Sequence, residues 1–100
     1  MQSTLISLDK EQITVNATSG GVGLTVEKIT DDTRMALITV SVAAIRTSCT
    51  GTGPTASLGM PFQPNTSFVL RGEHDLLAFR AIRQGAVSGV LDVEYFGTAS

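Results

Sequence analysis

Tryptophan is absent from this 100-residue chain, cysteine and histidine occur once each, and one tyrosine accompanies four phenylalanines. A single cysteine, Cys49, excludes an internal disulfide framework and fits synthesis in a reducing compartment. So few aromatics exclude a stacking platform for single-stranded nucleic acid and count against one for sugars. Charge is sparse too: 16% of residues are charged, the net charge is −2 and the pI is 5.1. The seven Lys and Arg lie scattered from Lys10 to Arg83, which leaves no basic footprint for nucleic acid. No apolar run approaches the roughly 20 residues that cross a bilayer. The opening MQSTLISLDKEQ lacks the basic and long apolar regions of a signal peptide, so the sequons at Asn16 and Asn65 are expected to be chance triplets.

What is present suits one small core. The hydrophobic fraction is 42%, enough for a single domain, and Ser and Thr must supply much of the polar surface. Those residues, with Val and Ile, favour strands. TLISL, Thr4 to Leu8, reads as a short N-terminal arm. QITVNAT alternates, with Ile13, Val15 and Ala17 on one face. SGGVG turns the chain, and GLTVEKI resumes with Leu24 and Val26 inward before TDDTR turns it again. In MALITVSVAAIRTS the inward set Ile38, Val40 and Val42 falls out of phase with Ile45, so a β-bulge is expected near Ala43 or Ala44.

DLLAFRAIRQ admits two readings. Leu76, Phe79 and Ile82 sit three apart, with Asp75 to cap a helix and Gly85 to end it. Leu77, Phe79 and Ala81 also alternate, and the run leads through QGAVSG into a last strand, Gly89 to Phe96. The pair is therefore predicted to be a hairpin. In the last strand Leu91, Val93 and Tyr95 are expected to face inward, and Val90, Asp92, Glu94 and Phe96 outward. All three prolines fall in the long loop Ser48 to Asn65, which a short strand around Ala56 to Met60 would divide. Six or seven short strands predict an all-β fold: one antiparallel β-sandwich, jelly-roll-like or immunoglobulin-like, with at most one short helix. Residues 1–19 would form the arm and first strand, and 20–100 the sandwich.

No motif specifies a reaction. His74 sits between Glu73 and Asp75, but neighbours on a strand point to opposite faces, and one histidine with one cysteine is too few zinc ligands. A surface turn is expected there. No GxSxG elbow accompanies the serines, and the glycine-rich GGVG and GTGPTASLG lack the GK[ST] ending that closes on a phosphate. Asp31 and Asp32 are two carboxylates where calcium takes six to eight oxygens. Neither a catalytic group, a cofactor nor a metal is expected. Val69, Leu76, Ile82, Val90 and Phe96, opposite the core set, are left for a second layer or for subunit contacts.

The segment from Ala36 to Phe96 resembles small virion proteins of tailed bacteriophages. A strand with Ile45 and Arg46 leads into GxxPTxxxG, matched by Gly51, Pro54, Thr55 and Gly59. The ending FxxIR…SGxLxVxYF is matched by Phe79, Ile82, Arg83, Ser88, Gly89, Leu91, Val93, Tyr95 and Phe96. The resemblance implies a non-enzymatic capsid decoration or cement protein in the virion, made in the host cytoplasm. Its partners would be the major capsid protein or other virion proteins and further copies of itself, not nucleic acid or membrane. A place at the head–tail junction or in the tail, and a glycan or host-surface binding module, are the alternatives. The expected interface comprises Ile82, Val90 and Phe96 on the terminal hairpin, with Pro54, Thr55 and Phe62 on the loop.

Overall fold

A computed structural model describes residues 5–50, 52–55 and 57–98. The strands are β1 (Leu5–Val15), β2 (Thr33–Ser41), β3 (Ile45–Ser48), β4 (Met60–Phe62), β5 (Ser67–Arg71), β6 (Arg80–Arg83) and β7 (Gly89–Thr98). A 3-10 turn occupies Val26–Lys28, and a six-residue helix, α1, spans Glu73–Ala78. The strands form two antiparallel sheets, ordered β1-β7-β2-β5 and β4-β3-β6. Their inner faces share one core, including Val15, Ile38, Val40, Ile45, Phe79 and Leu91, all at 0% exposure. Leu91, Val93 and Tyr95 face inward as their alternation predicts.

The strand order is that of a jelly roll with one strand reduced to a vestige. Val22, between β1 and β2, makes a single bridge to Ala81 on β6. Counting it as a strand gives four in each sheet, with the first and last strands adjacent, as in a jelly roll. An immunoglobulin sandwich instead separates its first and last strands into different sheets. That half of the fold expectation is set aside.

Three local expectations are corrected. Residues 79–96 are not a hairpin: β6 pairs with β3, whereas β7 lies between β1 and β2 in the other sheet. The small residues of QGAVSG make an inter-sheet crossing, which composition alone does not distinguish from a tight turn. The phase slip after Val40 is likewise a corner. β2 ends at Ser41, Val42 turns the chain at φ 72°, and β3 begins in the opposite sheet at Ile45. Residues 73–83 divide between the two readings, helix then strand. Gly72, at φ 86°, takes the chain out of β5. Glu73 and Asp75 place acids at the positive end of the helix. Phe79 ends it in an extended conformation, with its side chain in the core.

Smaller departures follow from these. Leu77 lies on the outer side of α1 at 40% exposure, while Leu76 is buried. Val26, expected inward, is 62% exposed in the 3-10 turn. The short strand of the loop is β4, at 60–62; Ala56 lies outside the described residues. The expected arm is the first half of β1, an integral edge strand, with Thr4 outside the described residues.

Each sheet edge is guarded against further pairing. β1 has a register shift between Ser7 and Asp9, carries Lys10, and turns the Lys10 N–H to Asp9 Oδ1 at 2.7 Å. β4 is three residues long and contains Pro61, which has no N–H to offer. β5 is five residues long and ends on Arg71. β6 is covered by its own chain: Ala81 exchanges hydrogen bonds with Val22 at 2.7 and 2.9 Å, and Arg83 N–H donates to Asn16 O at 3.1 Å.

Candidate interaction surface

The crossing between sheets divides the expected interface. Ile82 lies half-buried on β6, opposite Arg46 of the three-stranded sheet. Val90 and Phe96 lie on β7, on the outer side of the four-stranded sheet. They cannot form one patch with Ile82, because the core separates the two sheets.

The loop residues divide as well. Pro54 is buried. A Cβ added at Gly59 would stand 2.9 Å from its Cβ, and one at Gly21 3.2 Å from its Cδ, so the proline is held by its own chain. Phe62 is half-buried against the core and stacks on Phe68 with ring centroids 4.2 Å apart. Thr55 is exposed; its hydroxyl accepts the N–H of Leu58 at 2.9 Å and shapes a turn that presents Leu58 at 73% exposure. Met60, at 63%, follows. Gly51, part of the loop match, lies outside the described residues.

Pairing register assembles a surface that reading along the chain does not. Across the outer face of the four-stranded sheet, Phe96 stands between Ser7 and Met35, and Met35 is opposite Arg71. In the next row Glu94 stands between Lys10 and Leu37, and Leu37 is opposite Val69. A third row runs Gln12, Asp92, Thr39, Ser67. Phe96 and Met35 are half-buried, Leu37 is 37% and Val69 39% exposed, and Leu5 adds 42% at the tip. An apolar stripe thus crosses the face, with the acids of β7 and Lys10 of β1 to one side and Arg71 on the β5 side.

The acids are held in place. Ser7 Oγ donates to Glu94 Oε2 at 2.6 Å, and Gln12 Nε2 donates to Asp92 Oδ1 at 2.9 Å. Thr39 and Ser67 share a hydrogen bond of 2.8 Å. A shallow hollow of about 570 Å³ lies over Lys10, Gln12, Leu37, Thr39, Asp92 and Glu94. Met35 and Leu37 are not legible in the sequence, because their contribution depends on which strand lies beside β7.

Beneath this face the sheet is pinned by a polar contact. Glu11 points inward and accepts the Tyr95 hydroxyl and, at 2.5 Å, the Thr25 hydroxyl. Burial, with the Glu11 carboxylate beside it, pushes the Tyr95 phenol well above its ordinary range. Outside it, Lys28 Nζ meets Asp9 at 3.0 Å and holds that carboxyl below its usual value.

His74 is on α1, not in a turn; its ring is exposed and meets Asp75 Oδ1 at 3.1 Å. Cys49 is half-buried, and burial raises its thiol further from ionisation. Among the described residues no three His, Cys, Asp or Glu side chains converge as metal ligands. No protein-family model, curated protein or solved structure matches the chain.

Proposed function

We propose that this protein is a structural component of a tailed-bacteriophage virion, a decoration or cement protein that stabilises the head by binding the major capsid protein lattice. The observation that carries the reading is the strand order. The jelly roll is an architecture of viral capsid domains, and the virion-like segment from Ala36 to Phe96 supplies six of its seven strands. Fold alone does not assign a role, so the surfaces bear the remaining weight. With every edge guarded, assembly would use faces and loop tips. The turn bearing Leu58 and Met60 reaches toward the lattice, and the outer face of the four-stranded sheet is the second contact.

Mass spectrometry of purified particles tests the proposal: the chain should be present in stoichiometric amount with the major capsid protein. Its loss should lower the temperature at which heads rupture. Presence only in tail fractions would favour the head–tail junction or tail instead. A glycan-binding module is the second reading. It is favoured by the hollow beside Gln12, Thr39 and Asp92, since lectins also use this architecture. Binding on a glycan array that Asp92→Ala abolishes would select it.

A further inference from the structure

We infer that the outer face of the four-stranded sheet is self-complementary and packs against the same face of a second copy, about a two-fold axis running along β2. This rests on reading that face as an assembly surface; what it adds is which face meets a second copy, and in what register.

The charges select the axis. Glu94 and Asp92 lie on β7, to one side of β2, and Arg71 lies on β5, to the other. A two-fold along β2 places each β7 over the partner's β5. Arg71 then comes to rest over Phe96 of the partner subunit, one row from the partner's Glu94. A guanidinium over a ring, with a carboxylate in reach, combines a cation–π contact with an ion pair. Met35 and Leu37 lie on the axis and meet their own copies, which covers the apolar stripe.

An axis across the strands fails. It would set the acids of β7 against the partner's β7, and like charges opposed across an interface exclude that register. Two twisted sheets pack face to face at about 10 Å with strands inclined by about 30°, a separation that half-exposed Leu and Met side chains span. No edge strand has to open, so the guards on β1 and β5 stay in place.

Sedimentation of the purified full chain over a concentration series tests this. The wild type should form a dimer. Arg71→Glu and Glu94→Arg should each weaken it at least about tenfold, because each opposes like charges twice across the axis. The mixture of the two single variants is diagnostic. A heterodimer of one with the other restores both ion pairs, so mixing should return the dimer that neither forms alone. The melting temperature and circular dichroism of each variant establish that it is folded. If a variant is destabilised, Arg71→Gln and Glu94→Gln replace the reversals and should weaken the dimer less. A wild type that stays monomeric throughout overturns the inference, as does a mixture that stays monomeric while both variants are folded. Neither result touches the virion proposal, which stands or falls on particle composition.

Discussion

Tyr95 is the one tyrosine of the chain, buried and donating its hydroxyl to Glu11. Its phenol is raised in the fold by burial and by that carboxylate. The stability it confers is therefore complete below the unfolded value of about 10 and lost as pH rises beyond it. Wild-type melting temperature should fall steeply in that alkaline range, and phenolate absorbance should appear only as the protein unfolds. Tyr95→Phe should cost about 2 kcal/mol at neutral pH, the worth of a hydrogen bond to a charged group. It should also flatten the alkaline fall. Phenolate absorbance in the intact fold near pH 10 would show that the hydroxyl is not held. Leu91, at 0% exposure in the same strand, tests packing alone. Leu91→Ala should destabilise by about 2–5 kcal/mol in chemical denaturation.

At the corner between β2 and β3 stands, among the described residues, the one β-branched side chain at positive φ. Val42 is β-branched, holds φ 72° and is 66% exposed. It bears the cost of a left-handed backbone with little burial to offset it. Val42→Gly should raise stability by about 1 kcal/mol, relief of strain outweighing the added freedom of the unfolded glycine. Loss of stability in a urea titration would mean that the valine side chain holds the corner. The corner also shows how far the sequence could be read. Alternation marks each strand and orients β7, because a half-buried strand writes its faces into its residues. It marks the slip at Val42 to Ile45 as well. Which sheet the chain enters next is decided by pairings that no local pattern encodes. For that reason a corner read as a bulge and an inter-sheet crossing read as a hairpin. The site carries the same gap: alternation puts Val90 and Phe96 on an outer face, but it neither separates Ile82 from them nor brings in Met35 and Leu37. Pro54, expected at the interface, is buried and held by its own chain.

For the molecule as a whole, the first strand pairs with the last, Leu5 opposite Thr98, and most sheet contacts join distant parts of the chain. Refolding from denaturant should therefore be slow for the size, in milliseconds to seconds. Stopped-flow fluorescence of Tyr95, buried only in the finished sheet, would follow it. The last strand in sequence is also an inner strand of its sheet in space, flanked by β1 and β2. During synthesis this has a consequence for the ribosome. Until residues 89–98 clear the exit tunnel, β1 and β2 face an empty lane between them, and Ile38 and Val40 lack their neighbours Val93 and Leu91. The nascent protein should stay open to protease at every stalled length short of β7 and become resistant in one step when that strand emerges.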